Sequence, residues 1–139
     1  MKVRHRARVA ALQALFEIDC AAHNPTVVVE RRLEETELPE AGALFARELV
    51  QGVNDHQERL DGLIKRYAPE WPVDQIAIVD RNILRMAIYE ILLQDETPLK
   101  VAINEAVELA KEFGSDSSAR FVNGVLGSLV AAEVSASRR

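Results

Sequence analysis

At 139 residues and 48% apolar content the chain can bury a core without staples, and an aromatic share of 5% makes that core aliphatic and alanine-rich. A formal charge of −5 excludes a surface that attracts nucleic acid everywhere, and the lone Cys20 excludes an internal disulfide and points to a reducing compartment. His5, His23 and His56 show no metal-ligand spacing with each other or with Cys20, so neither a metal nor a cofactor is expected.

The charge is uneven along the chain. Lys2, Arg4, Arg6 and Arg8 all precede the first acidic residue, Glu17, so an acidic body carries a basic end. That end is not read as a signal peptide, because Gln13, Glu17 and Asp19 soon interrupt the apolar pattern. No apolar run approaches the ~20 residues needed to cross a bilayer, and a cytoplasmic protein is expected.

The first helix is predicted from Arg4 to Ala22, with Ala7, Ala11, Leu15, Ile18 and Ala22 on one stripe and Leu12, Phe16 and Cys20 on its flank. Four cations so close together repel, and its first turn is expected to be loose unless an anion joins them. The cations read either as an RNA- or DNA-contacting edge or as a solubilising tail. Asn24 and Pro25 open a short second helix that turns Val28 and Leu33 to the core.

Pro39 opens the third segment, in which Phe45, Leu49, Val53, His56, Leu60, Ile64 and Tyr67 recur at helical spacing. It is a long helix or a pair broken near Gly52, Asn54 and Asp55. His56 reads as a hydrogen-bonded core or boundary residue. Pro69 and Pro72 bracket Trp71 and divide the chain into halves of about 1–68 and about 73–135 within one 1–139 domain.

Asp74 is placed to cap a central helix from Ile76 to Leu93, apolar around most of its circumference. Asp80 falls among its apolar positions. An ionised carboxylate there needs either an internal partner or an interface. Arg81 and Arg85 are assigned to a more polar side.

Leu99, Ile103, Ala106, Ala110 and Phe113 mark the next helix, with Gly114 at the place of a left-handed cap. Ser115, Asp116, Ser117 and Ser118 offer oxygens to the amides of a last helix; they lack the spacing and the lysine of a phosphate loop. In that helix Phe121, Val125 and Leu129 form one row and Val122, Leu126 and Val130 another. A further row gathers Arg120, Asn123, Gly124 and Gly127, where the glycines serve either a close-packed neighbouring helix or a ligand lying on bare backbone. The expected fold is all-α, an orthogonal bundle of six to seven helices in two halves. No catalytic constellation is present in the sequence: Ser117 and Ser118 have no nearby histidine, and a helical adaptor is favoured over an enzyme.

RHRARVAALQALF at 4–16, FARELVQGV at 45–53, DRNILRMAIYE at 80–90, and KVAINEAVELAKEFG followed by RFVNGVL together resemble the NusB family of transcription antitermination factors, over nearly the whole chain and in the family's order. The resemblance implies an all-helical, non-catalytic RNA-binding protein. With the ribosomal protein NusE it recognises boxA single-stranded RNA in nascent transcripts, including ribosomal RNA leaders. It then acts on the elongating RNA polymerase with other Nus factors. Some members form homodimers.

By position, the resemblance assigns RNA contact to Lys2, Arg4, Arg6, Arg8, Arg81, Arg120 and Phe121, and NusE contact to Phe16, Asp80 and Ser117. It moves Asp80 towards an interface role. His5 stands where the motif often has Arg, Phe16 where Tyr is common, and Gly127 where a polar residue is usual; these departures bear on affinity. Two rival classes are a homodimeric scaffold without an RNA role, and an RNA-binding appendage like that of ribosomal RNA cytosine methyltransferases. The second is disfavoured because the chain ends where a cofactor-binding domain would begin.

Overall fold

The alanine-rich stripe at the start of the chain decides how closely its first helices can pack. In the computed structural model, which describes residues 2–134, every described element is helical. The seven α-helices fall into two compact units, 1–56 and 57–139.

The first unit holds α1 (Val3–Ala21), α2 (Pro25–Thr36) and α3 (Glu40–Asp55). Ala7, Ala10, Ala11 and Ala14 are buried, so α1 packs on both other helices through short side chains. Ala22 takes a left-handed conformation and ends α1. The Asn24 side chain then accepts hydrogen bonds from the amides of Thr26 at 3.0 Å and Val27 at 3.2 Å, which caps α2 with Pro25 in its first turn. Glu30 and Arg47 tie α2 to α3, with Nε to carboxylate at 2.6 Å.

The third segment is a broken pair, and the break falls at His56, just after Gly52, Asn54 and Asp55. His56 is exposed rather than on a core row, and its Nδ1 lies 2.9 Å from the Gly52 carbonyl as a boundary hydrogen bond. The division between units also falls here, so the helix that follows groups with the second half of the chain.

The second unit holds α4 (Gln57–Tyr67), a single 3₁₀ turn (Val73–Gln75), α5 (Ile78–Ile88), α6 (Leu99–Phe113) and α7 (Ser118–Glu133). Buried Ile83, Leu84, Met86, Ala87 and Ile88 make α5 the central helix, in contact with α4, α6 and α7. Asp74 does not cap it. That residue sits in the 3₁₀ turn, and α5 begins after Ala77 without a side-chain cap. Arg85 is not on a polar side either: it is buried and paired with Asp61 of α4.

Beyond Ile88 the helix widens into a π-helical segment, Tyr89–Gln94, closed by the Asp95 amide on the Glu90 carbonyl at 3.0 Å. The buried Glu90 carboxylate accepts a hydrogen bond from Thr97 across that turn at 2.9 Å. The Tyr67 hydroxyl of α4 donates to Glu133 at the end of α7, which raises the tyrosine pKa.

Two expectations at the α6–α7 corner are corrected. Gly114 is extended, at φ −93°, and is not a left-handed cap. Its reason is space, because a Cβ there would lie 2.7 Å from the Ala110 carbonyl and closer still to Ser118. The serines do not cap α7; instead buried Ser118 accepts a hydrogen bond from the preceding Ser115 amide at 2.9 Å.

Candidate nucleic-acid and partner interface

In the first unit, the four basic residues singled out in the sequence lie at the start of α1, Lys2 as its N-cap and Arg4, Arg6 and Arg8 in its opening turns. The helix begins at Val3, so that turn is formed, with no acidic residue in it. The repulsion among its cations is met in two ways. Arg6 donates a hydrogen bond at 3.0 Å to the carbonyl of Thr36, the last residue of α2, where the helix dipole is negative. Arg4 and Arg8 lie over the ring of Phe45 from α3, with guanidinium carbons 4.2 and 5.0 Å from its centroid.

The four cations are therefore unlike one another. Lys2 and Arg4 are exposed and Arg6 is half-buried. Arg8, expected at an RNA surface, is only 3% exposed and belongs to the packing of α1 on α3. Further along α1, Phe16 is 40% exposed, an apolar ring left uncovered on this unit.

In the second unit, a cavity of about 400 Å³ is lined by Trp71, Gln75, Ile76, Ala77, Asp80, Ser117, Arg120 and Phe121. Three segments build it. The Pro69–Pro72 stretch and the 3₁₀ turn supply Trp71 and Gln75, the first turn of α5 supplies Asp80, and the start of α7 supplies Ser117, Arg120 and Phe121. Asp80 is 8% exposed, and its Oδ1 is buried with no hydrogen-bond partner among the described residues. That orphaned acceptor contradicts a satisfied internal ion pair. Arg120 is exposed beside it and Phe121 is half-buried.

Arg81, also expected to face RNA, is turned onto the protein's own backbone. Its Nη1 donates to the carbonyls of Asp74 and Ile76, each at 3.2 Å, and so holds the 3₁₀ turn against α5. The glycine row of α7 is open: a Cβ at Gly124 or Gly127 would meet nothing within 4 Å. Close packing of a neighbouring helix within the described chain does not explain these glycines.

Tertiary structure thus brings Asp80, Ser117, Arg120 and Phe121 to one cavity and leaves Arg81 behind it. Sequence reasoning missed Trp71 as a lining residue. It is 55% exposed, and its position between two prolines, outside any helix, was the available signal. Among the described residues, no group of three or more His, Cys, Asp or Glu side chains could hold a metal ion, and no helix is long and apolar enough to cross a membrane.

Comparison with known proteins gives this geometry a context. The model of the NusB family matches residues 5–131. The transcription antitermination protein NusB of Roseiflexus castenholzii (strain DSM 13941 / HLO8) is 55% identical over 130 residues, covering 92% of this chain and 92% of that protein. The solved structure of T. maritima NusB has a TM-score of 0.89 at 33% identity, covering 97% of this chain and 95% of the other. A further similar chain comes from a crystal structure of the antitermination factors NusB and NusE in complex with double-stranded RNA. Its TM-score is 0.87 at 26% identity, covering 95% of this chain and 98% of that one.

Proposed function

This chain belongs to the NusB family of transcription antitermination proteins, and on that premise we propose that it binds boxA RNA of nascent transcripts jointly with NusE and promotes processive elongation by RNA polymerase. The carrying observation is the cavity around Asp80. A buried carboxylate oxygen without a partner among the described residues, an exposed guanidinium and a half-buried aromatic ring are gathered in one place.

Each group has a task. Asp80 and Ser117 accept hydrogen bonds from donors on NusE, which gives the orphaned oxygen a partner that the described residues do not supply. Phe121 and Arg120 address unstacked RNA bases, where stacking on a ring or a guanidinium contributes about 1–3 kcal/mol per base. Lys2 and Arg4, with Arg6 at their edge, meet phosphates. Arg8 and Arg81 act behind the surface, by holding α1 and the 3₁₀ turn in place.

A chain of net charge −5 binds RNA weakly alone and gains through its partner. The exposed ring of Phe16 supports the same view, as an apolar contact for NusE. Action with the other Nus factors on the polymerase, in the cytoplasm, completes the proposal.

A second reading has its own observation: Phe16, Val27 and Leu44 are all exposed on the first unit, a basis for self-association. Gel shifts of boxA and scrambled RNA, each with and without NusE, decide between them when run beside size measurement. The proposal expects a boxA-selective shift that is strongest with NusE. Equal shifts with both RNAs, or a dimer indifferent to boxA, would overturn it.

A further inference from the structure

We propose that Phe45 is a positioning residue for RNA phosphate: its ring holds the Arg4 guanidinium in a fixed plane at the start of α1, with the face stacked and the N–H edge presented to a phosphodiester. The proposal rests on the RNA-binding reading above and adds to it a residue that makes no RNA contact itself.

Arg4 and Arg8 are one turn apart on α1, where two guanidinium groups would otherwise push each other away. Both instead lie over the same ring, at 4.2 and 5.0 Å. The negative face of an aromatic ring attracts each cation, so the ring turns a repulsive pair into an ordered one. Arg8 is buried, and so is Phe45. Neither can swing away, which leaves exposed Arg4 as the member of the cluster that faces solvent.

The backbone under Arg4 is located as firmly. Val3 packs against Gly42 of α3 so closely that a Cβ at Gly42 would lie 2.6 Å from its Cγ1. Arg6 is hydrogen-bonded to the end of α2. All three helices of the unit therefore fix the turn that carries Arg4.

Stacking occupies the face of a guanidinium and leaves its in-plane N–H groups free, and those are the groups that fork onto phosphate oxygens. An arginine held in that way loses less rotamer freedom on binding than one waving in solvent. A lysine at position 4 carries the same charge but has no flat face to stack.

The test is boxA RNA affinity of the full chain with NusE over a series of salt concentrations. Arg4→Met is expected to weaken binding about three- to fivefold, the scale of one exposed cation–π contact expressed as affinity. It should also lower the slope of log affinity against log salt by about 0.7, the loss of one single-strand phosphate contact. Phe45→Leu is expected to weaken binding similarly and to lower the slope as well, although it removes no charge, and the double variant to be no weaker than Arg4→Met. An unchanged slope in Phe45→Leu, or penalties that simply add, would overturn the proposal.

If Phe45→Leu does not fold, Arg4→Lys carries the test: weaker binding supports the stacked geometry, and wild-type affinity overturns it. A wild-type chain that fails to bind boxA RNA with NusE overturns the RNA-binding reading and this one together. Wild-type binding that is indifferent to Phe45 overturns this one alone.

Discussion

Arg85 of α5 and Asp61 of α4 meet in a two-point ion pair, Nε to Oδ1 at 2.7 Å and Nη2 to Oδ2 at 3.0 Å, while Nη1 donates to Asn82 at 3.1 Å. With the Arg85 side chain only 5% exposed, removing Asp61 takes both of these charge-assisted contacts from a buried guanidinium. Asp61→Ala should cost about 3 kcal/mol. Urea unfolding measures it, and a loss below about 1 kcal/mol would mean the pair is dispensable.

Asp80 predicts the opposite pattern. Its buried oxygen has no partner among the described residues, so Asp80→Ala should leave stability unchanged or raise it by about 1 kcal/mol, while NusE affinity drops about tenfold or more. Parallel thermal melts and NusE titrations separate the two effects. A collapse in melting temperature with NusE affinity retained would restore an internal role.

Trp71 is the only tryptophan, and it lines the cavity. Its emission should shift and be quenched when NusE and boxA RNA fill that space, and an Asp80→Ala chain should need more NusE to reach the same change. An emission spectrum indifferent to saturating NusE and RNA would place both elsewhere.

Gly127 stands exposed inside α7 with open space where a Cβ would be. Gly127→Ala should therefore stabilise the chain by about 0.5–1 kcal/mol, the helical cost of glycine. If this face also meets a partner, NusE or RNA affinity falls in the same variant. A destabilised Gly127→Ala would show that the position is less open than its surroundings indicate.

The Arg47 hydrogen bond and charge hold the Glu30 carboxyl below the ordinary 4.5 in the folded chain. Because its folded pKa is depressed, its contribution is present above the unfolded value and is lost as pH falls through the folded one. Melting temperature should decline below about pH 4.5 more steeply in the native chain than in Glu30→Gln. The effect is small, since both side chains are over a third exposed. Parallel declines would remove Glu30 from the acid response.

The expected all-α class, the approximate helices and the resemblance to the NusB family were all legible in the residues, and for local reasons. Apolar spacing of three and four marks a buried face wherever it occurs, Asn24 with Pro25 can start a helix without help, and proline ends one. Motif order along the chain carried the family assignment in the same way.

The condition of each charged side chain was not legible, because it depends on residues far away in sequence. Arg4 and Arg8 look equivalent as letters and both lie over Phe45 of a different helix, yet the packing of that helix buries Arg8 and leaves Arg4 exposed. Arg85 waits on Asp61, Arg81 on the carbonyls of a 3₁₀ turn, and the exposure of Gly124 on the absence of any described neighbour. Helix periodicity is a property of one strand of chain. Burial and pairing of a charge are properties of what folds back onto it, and only the packed units determine that.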